Sequence, residues 1–248
     1  MSAINCYFGN LFSLLSRTLK TQYAGMEEAA RRIADCLRQG GMLYAFGTGH
    51  GHLLALEIFY RAGGMARVCP VLDEKLMLHI SAAGSTLEER DESWVSILLE
   101  KYPIKAGDVL LAISNSGRNA VPVLLAKAAR ERGAYVIALT SMQHSSAVSS
   151  RNSINLRLFE TADLVLDNGG VLGDASFLAA DGTMVGPTST AVGAAMLQSI
   201  VCRVKELSLV EDFEADFFKS SNVDGGDEWN ERLVTRYQDS IPGLNQGR

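Results

Sequence analysis

The chain has 248 residues, of which 47% are hydrophobic and 21% are charged, so it is long enough to bury the core of one large soluble domain. Its formal net charge of −5 argues against general nucleic-acid binding, which depends on many phosphate contacts from lysine and arginine. No apolar stretch reaches the roughly 18 residues that suggest a membrane span. The four cysteines form no CxxC pair, so we interpret them as free thiols of a cytoplasmic protein.

The predicted elements alternate between helix and strand. Apolar residues recur at spacings of three and four from residue 5 to about 38, which predicts an N-terminal helix that Gly25 can divide into two. Apolar runs then predict strands at 42–46, 66–72, 109–113, 135–140 and 164–166, and helical patterns lie at 52–62, 86–102, 120–132 and 188–209. The Gly-rich residues 168–187 indicate a loop or hairpin, and a short helix is expected after the acidic segment 220–230.

Continuous apolar strands separated by helices predict an α/β fold, in which helices cover both faces of a parallel sheet. In such folds ligands bind beyond the carboxyl ends of the strands. Two turns of small and polar residues lie at such ends, Phe46–Gly51 after the first strand and Ser114–Asn119 after the third. Small residues at a strand-to-helix turn let backbone N–H groups approach an anion, so the two turns predict one pocket for a phosphorylated small molecule.

A dinucleotide site is the competing interpretation of the first turn. It lacks the third glycine of the G-x-G-x-x-G pattern, because His52 stands at that position. Asp73 does lie about 20 residues further on, near the spacing of a ribose-binding carboxylate. The second turn has no role in that scheme, so a phosphate pocket is favoured.

Three motifs together are typical of one family: Gly-Thr-Gly-His-Gly-His at 47–52, Ser-Asn-Ser-Gly-Arg-Asn at 114–119 and Gly-Pro-Thr-Ser-Thr at 186–190. With them the chain resembles the sugar isomerase (SIS) domain family over nearly its whole length. It looks most like the single-domain members that also carry the motifs at 59–64 and 222–227. The resemblance implies a flavodoxin-like, three-layer αβα sandwich with a five-stranded parallel sheet. The whole chain, 1–248, would be a single SIS domain with an N-terminal helical extension (1–40), an αβα core (41–210) and a C-terminal segment (211–248).

The resemblance also implies that the chain binds a sugar phosphate without a cofactor and forms a homodimer or a higher homo-oligomer. Family members include aldose–ketose isomerases, lyases or etherases, and proteins that only sense ligands. We expect an isomerase; the alternatives are a regulatory module that binds a phosphosugar without turnover and a lyase or etherase of an amino-sugar phosphate. Gly51 replaces a serine that is frequent in the family, so one hydroxyl contact to the ligand is expected to be missing.

The predicted substrate-binding residues come from four segments. Ser114, Ser116 and Asn119 are the first candidates for phosphate contacts, although serine and asparagine also suit ordinary turns and helix caps. Arg118 can pair with phosphate bidentately or stay in solvent. The full set consists of Gly47, Thr48, Gly49 and His50 in the first turn; Ser114, Asn115, Ser116, Gly117, Arg118 and Asn119 in the second; Thr140, Ser141 and Ser145 after the fourth strand; and Thr188 and Ser189 at the start of the late helix.

Isomerisation needs a general base near the carbon that exchanges its proton. Glu57 is the first candidate, since its apolar neighbours predict burial; its alternative is a surface ion pair with Arg61 at i+4. His79 is the second candidate, on the resemblance to sugar-phosphate isomerases that carry a Leu-His pair there. His50 and His52 do not have the spacing of a helical HExxH pair, so no metal site is predicted.

Other acidic residues take a lower rank. Glu88, Glu89 and Asp91 suit the start of a helix, where they complement its dipole, although Glu89 can also reach the pocket of a neighbouring subunit. Asp174 is a further acidic candidate without a rank.

Overall fold

A computed structural model describes residues 2–244. The helices are α1 (Ala3–Arg38), α2 (Gly51–Glu57), α3 (Ala82–Glu88), α4 (Trp94–Lys101), α5 (Ala120–Glu131), α6 (Met142–Ser146), α7 (Leu158–Thr161), α8 (Ser189–Val210) and α9 (Gly226–Tyr237). The strands are β1 (Leu43–Gly47), β2 (Val68–Val71), β3 (Val109–Ile113), β4 (Tyr135–Thr140), β5 (Leu164–Asp167), β6 (Ala175–Leu178) and β7 (Met184–Pro187). None of the helices in this part of the chain is long and apolar enough to cross a membrane.

The five predicted strands form one parallel sheet in the order β2-β1-β3-β4-β5, which confirms the predicted fold. Alternate residues of each strand point to opposite faces, so the sheet has two cores. Leu43 and Ala45 pack into the core beneath α1 and α8, whereas Tyr44 and Phe46 face the core beneath α4, α5 and α9.

The strand order reverses direction between β1 and β3. From β1 the chain first crosses to β2 on one side and then returns to add β3 on the other side. The carboxyl ends of these two neighbouring strands therefore form the topological switch point, where open parallel sheets bind ligands. Both predicted turns follow these two strands.

The N-terminal helix is unbroken, so the predicted division at Gly25 is wrong. A Cβ atom at this position would lie 3.2 Å from Cδ2 of Leu166 in β5. The glycine allows the helix to lie close to the sheet, and the favourable packing of a long amphipathic face outweighs its low helix propensity.

Two other predicted helices are shorter than expected. The pattern at 86–102 contains α4 and the end of α3, separated by a turn in which the Asp91 carboxylate accepts a hydrogen bond of 2.9 Å from the N–H of Ser93. The helix predicted at 52–62 ends at Glu57, and Tyr60 adopts a left-handed φ of +43° that a helix cannot contain. The expected hairpin within 168–187 is present as the antiparallel pair β6 and β7.

Candidate functional site

Both turns border one cavity of about 420 Å³ at the carboxyl ends of β1 and β3. The first turn contributes residues 48–51, and the second contributes residues 114–116 and Asn119. Asp174, Ser189 and Thr190 form the opposite wall, which belongs to the segment before the hairpin and to the start of α8. Segments that are far apart in the sequence therefore face one space.

The first turn is tight because two glycines touch. A Cβ atom on Gly47 would lie 2.4 Å from the backbone carbon of Gly51, and one on Gly51 would lie 2.9 Å from the carbonyl oxygen of Ile113. Both positions thus lack room for a side chain in this backbone. The close approach of α2 to β3 is therefore compatible with Gly51 and leaves no space for the serine that is frequent at this position in the family.

His50 and His52, the two histidines of the first turn, have different surroundings. His50 lines the cavity, whereas His52 is buried and its ring forms a hydrogen bond with the carbonyl of Gly49. Within the described part of the chain there is no group of three His, Cys, Asp or Glu side chains that could hold a metal ion.

The second turn contributes four polar residues to the lining of the cavity, namely Ser114, Asn115, Ser116 and Asn119. Its Ser114 Oγ accepts a hydrogen bond of 3.2 Å from the N–H of Gly117, which closes the turn. Gly117 has a φ of +54°, and a Cβ atom there would lie 2.8 Å from Oγ of Ser145. With the turn closed in this way, Ser116 and Asn119 line the cavity.

Glu89 connects the two turns. Thr48 Oγ1 donates a hydrogen bond of 2.6 Å to Glu89 Oε2, and Asn119 Nδ2 donates one of 2.5 Å to Glu89 Oε1. Burial raises the pKa of Glu89, while the Thr48 hydrogen bond and the charges of Arg90 and Arg151 oppose that effect. The cavity therefore contains a carboxylate that is fixed in position and whose proton affinity is increased.

The sequence predicts Glu89 as a charge at the start of a helix. Its backbone instead docks beside α5, where its carbonyl accepts a hydrogen bond of 3.1 Å from the N–H of Val121. Glu89 caps α3, and no periodicity or spacing in the sequence indicates this contact. Glu89 lines the cavity of its own chain.

His144 is a second titratable group of the cavity that sequence reasoning did not identify. The Ser141 hydroxyl accepts a hydrogen bond of 3.0 Å from its N–H and so caps the short helix α6 that carries it. Burial lowers the pKa of His144, the charge of Asp174 partly opposes this effect, and the charge of Arg118 adds a smaller lowering. The neutral imidazole is therefore favoured near pH 7.

Asp174 holds the opposite wall of the cavity in place through hydrogen bonds. It accepts hydrogen bonds from the backbone N–H groups of Thr188 and Ser189, at 3.2 and 2.9 Å, and so caps the start of α8. Ser189 lines the cavity, whereas Thr188 is buried behind it. The predicted binding role of Ser189 thus has a suitable position.

Buried polar atoms without a partner concentrate at this site. Four such side-chain atoms occur among residues 2–244: Asn119 Oδ1, His144 Nδ1, Ser145 Oγ and Thr188 Oγ1. Two of these residues line the cavity, and the other two lie directly behind its walls. Buried polar groups are nearly always hydrogen-bonded, so Asn119 Oδ1 and His144 Nδ1 are the two atoms at the cavity that are available for a further hydrogen bond.

Several predicted binding residues support the turns and do not line the cavity. Thr140 Oγ1 donates to the carbonyl of Asn115 at 3.2 Å, and Ser141 Oγ donates to the carbonyl of Gly170 at 2.6 Å. Arg118 turns to the surface, where its Nε donates to the carbonyl of Ser149 at 2.8 Å. The predicted residues outside the lining are Gly47, Gly117, Arg118, Thr140, Ser141, Ser145 and Thr188.

Neither predicted catalytic residue lies in the cavity. Glu57 forms the i+4 ion pair with Arg61 at 2.5 Å and accepts a hydrogen bond of 3.2 Å from Gln198 Nε2. His79 is exposed in the turn that precedes α3. Glu57 was expected to be buried, but its side chain is only partly buried, because it lies on the side of α2 that faces α8 and solvent. The geometry does not support the catalytic predictions for these two residues.

The sequence matches known proteins along almost its entire length. A family model of the SIS domain matches residues 6–141. UPF0309 protein lin2794 of Listeria innocua is 41% identical over 245 residues, which cover 98% of this chain and 99% of that protein. UPF0309 protein BH0227 of Halalkalibacterium halodurans is 39% identical over 243 residues, covering 97% of each chain.

Solved structures share the fold at low sequence identity. The phosphoheptose isomerase GmhA from Neisseria gonorrhoeae superposes with a TM-score of 0.55 and 19% identity over 82% of this chain and 97% of its own. The Vibrio vulnificus NanR protein, complexed with ManNAc-6P, gives a TM-score of 0.52 and 16% identity over 99% of this chain and 71% of its own. These likenesses support the fold assignment.

Proposed function

This chain belongs to the SIS domain family, and from that premise we propose that it binds a sugar phosphate in the cavity and isomerises it between aldose and ketose forms without a cofactor. One observation carries the proposal: two glycine- and hydroxyl-containing turns from separate parts of the chain border one cavity that also contains unpartnered buried polar atoms. Hydroxyl and amide donors suit phosphate oxygens and sugar hydroxyls alike.

The second turn is the proposed phosphate site. Ser114 and Ser116 place hydroxyls beside the start of α5, where the helix dipole favours an anion. The sugar then extends toward Glu89 and His144 on neighbouring walls. Asn119 lies between the two groups, with Nδ2 bound to Glu89 and Oδ1 available to a sugar hydroxyl.

Glu89 and His144 are the proposed acid–base groups, in place of Glu57 and His79. An aldose becomes a ketose when a base removes the proton from the carbon next to the carbonyl and returns it to the former carbonyl carbon. Glu89 suits this role because its carboxylate is held by two donors and its raised pKa lies closer to neutrality than that of an exposed glutamate. Neutral His144 can transfer the second proton between the two oxygen atoms.

The homodimer and the cytoplasmic location stay predictions from the sequence and its resemblance. Exposed apolar side chains on the first half of α1, namely Ile4, Phe8 and Phe12, suit a subunit interface. The similarity of the fold to NanR in complex with ManNAc-6P keeps binding without turnover as the second candidate.

Binding and turnover are tested separately. A thermal-shift panel of pentose, hexose, heptose and amino-sugar phosphates should raise the melting temperature for the preferred class, since a ligand that binds only the native state stabilises it. NMR on the best ligand then detects conversion; binding without any new sugar signal contradicts the isomerase and favours the second candidate.

A substitution in the second turn tests the phosphate contact. Ser116→Ala is expected to weaken phosphate-ligand affinity by about 1–3 kcal/mol in calorimetry, because a hydrogen bond to a charged group is lost. Ser199→Ala is the matched control, since that hydroxyl is exposed and bonds only to the carbonyl of Ala195 in its own helix. Equal affinity of the two variants contradicts the contact.

A further inference from the structure

We propose that Asn168 is a positioning residue of the cavity, which fixes the side-chain amide of Asn115 so that its NH2 group faces the ligand. This inference rests on the proposed function and deepens it, because it states which part of the ligand lies beside Asn115. That part is a group that only accepts hydrogen bonds, as an ionised phosphate does.

The two asparagines line the cavity from different strand ends. Asn115 belongs to the second turn, after β3, whereas Asn168 directly follows β5. These strands are not neighbours, because β4 lies between them in the sheet. Asn168 Nδ2 donates a hydrogen bond of 2.9 Å to Asn115 Oδ1. The two amides therefore connect the second turn with the edge of the sheet across the carboxyl end of β4.

The backbone determines which way the amide of Asn168 points. The N–H of Gly170 donates a hydrogen bond of 2.9 Å to Asn168 Oδ1. A backbone N–H can only donate, so the atom that it contacts has to be the amide oxygen. Asn168 is only 3% exposed, and the reverse orientation would leave the Gly170 N–H without an acceptor, which is costly for a buried donor. The nitrogen of the Asn168 amide is therefore the atom that faces Asn115.

The same reasoning then fixes the amide of Asn115. Because Asn168 Nδ2 only donates, Asn115 has to present its oxygen to it, and its own Nδ2 is left over. The backbone of Asn115 is held as well, since its carbonyl accepts hydrogen bonds of 3.2 Å from Ser141 N–H and Thr140 Oγ1. Asn115 Nδ2 has no hydrogen bond within residues 2–244 and is not among the buried unpartnered atoms of that range. Two N–H donors are thus available to a ligand in the cavity.

Asn119, at the other end of the second turn, has the opposite polarity. Its Nδ2 donates a hydrogen bond of 2.5 Å to Glu89 Oε1, and a carboxylate oxygen only accepts, so Oδ1 is the atom left over. An ionised phosphate offers acceptors only, whereas a sugar hydroxyl can also donate. The phosphate therefore fits the donors of Asn115, and a sugar hydroxyl fits Asn119, so the two amides orient the ligand with its sugar toward Glu89.

A double-mutant cycle tests this inference on the full chain by calorimetry, with inorganic phosphate and glucose 6-phosphate as probes. Asn115→Ala should weaken the binding of both about tenfold, the factor that one charge-assisted hydrogen bond gives. Asn168→Ala should weaken both between about threefold and tenfold, because the Asn115 amide is then free to turn its oxygen toward the phosphate. The double variant should bind within about twofold of Asn115→Ala, since Asn168 then has nothing left to position.

NMR of the side-chain amides gives a second readout, which a purely structural role of Asn168 would not change. The NH2 signals of Asn115 are assigned by their absence from the spectrum of Asn115→Ala. In the wild type they should shift when inorganic phosphate is added, and in Asn168→Ala this shift should be reduced. If Asn168→Ala does not fold, the wild type decides: signals of Asn115 that stay in place while the backbone N–H of Ser116 shifts refute the inference.

Asn230→Ala is the matched control, because the amide of Asn230 is also buried and bonds to the N–H and the carbonyl of Lys219, at 2.9 and 2.8 Å, outside the cavity lining. It should lower the melting temperature and leave both affinities unchanged. If Asn168→Ala binds both probes like the wild type, or if its effect is fully retained in the Asn115→Ala background, the positioning role is refuted and the phosphosugar site stands. If the wild type binds neither probe, both proposals fail.

Discussion

Replacing Glu89 with glutamine removes the proposed general base and leaves its surroundings intact. The side chain keeps its size, and Thr48 can still donate to the amide oxygen. Asn119 can rotate its amide so that the now unpartnered Oδ1 accepts from the new Nε2. The variant therefore loses a charge and keeps both of its contacts, and the unpartnered atom of the Asn119 amide becomes its nitrogen where it was its oxygen.

Two opposing effects decide the stability of this variant. Hydrogen bonds to a charged group contribute about 1.5–3 kcal/mol and those to a neutral group about 0.5–1.5 kcal/mol, so two weakened bonds cost about 2–3 kcal/mol. Burying an amide in place of a carboxylate returns several kcal/mol of desolvation. The net change in the free energy of unfolding should stay within about 1 kcal/mol, or about 2–4 °C in melting temperature for a chain of this size.

Catalysis should respond far more strongly. Loss of a positioned general base lowers the rate by about 10²–10⁴-fold. That factor corresponds to about 3–5 kcal/mol of transition-state stabilisation, well above the expected change in stability. Turnover of the preferred sugar phosphate by NMR and its affinity by calorimetry should therefore separate, with kcat reduced and binding retained.

Glu57→Gln is the matched control, because Glu57 is the base that the sequence predicts. Its carboxylate pairs with Arg61 outside the cavity, at a partly exposed position where an ion pair contributes about 0–1 kcal/mol. We expect turnover of this variant within about twofold of the wild type, since the barrier is unaffected. Full activity of Glu89→Gln together with an inactive Glu57→Gln would refute the reasoning and restore the base predicted from sequence.

Three further predictions follow from the same geometry. The kcat/KM profile should fall on its acid side with an apparent pKa above 4.5, because burial raises the pKa of Glu89, and Glu89→Gln should abolish this limb. The raised pKa means that the native state binds the Glu89 proton more tightly than the unfolded state, so the contribution of this residue to stability is lost as pH rises through that pKa. The melting temperature of Glu89→Gln minus that of the wild type should therefore be higher at pH 7 than at pH 4.5. Gly47→Ala should destabilise the protein by about 1–3 kcal/mol or more in urea unfolding, since its Cβ would lie 2.4 Å from the backbone of Gly51, whereas Gly9→Ala in an open helical position should stabilise it by about 0.5–1 kcal/mol.

Local sequence patterns predicted the sheet and the two turns. Strands such as Val109–Ile113 are unbroken apolar runs, and runs of that kind are stable only when a sheet buries both of their faces. The glycines of the first turn allow a contact that any side chain would prevent. The apolar runs and the contact of Gly47 with Gly51 depend on neighbours within a few residues, so the amino-acid sequence by itself determined them.

Helix boundaries were less predictable where a short-range hydrogen bond competed with periodicity. Asp91 binds the N–H of Ser93 and separates α3 from α4, although the apolar pattern at 86–102 is continuous with a single helix. At Gly25 the sequence predicted a break, but the helix is continuous. The glycine is explained by the close contact of this position with Leu166. Both outcomes depend on partners that periodicity does not reveal.

Only the tertiary structure decided which charged groups reach the cavity. Glu57 lies next to a predicted turn in sequence, yet the direction of its helix turns it toward Arg61 and Gln198. Glu89 lies 41 residues from Thr48 and 30 from Asn119, and it contacts both because its backbone docks at the start of α5. The end of a strand can be recognised from the local sequence, but the direction of a side chain depends on how separate segments pack against each other.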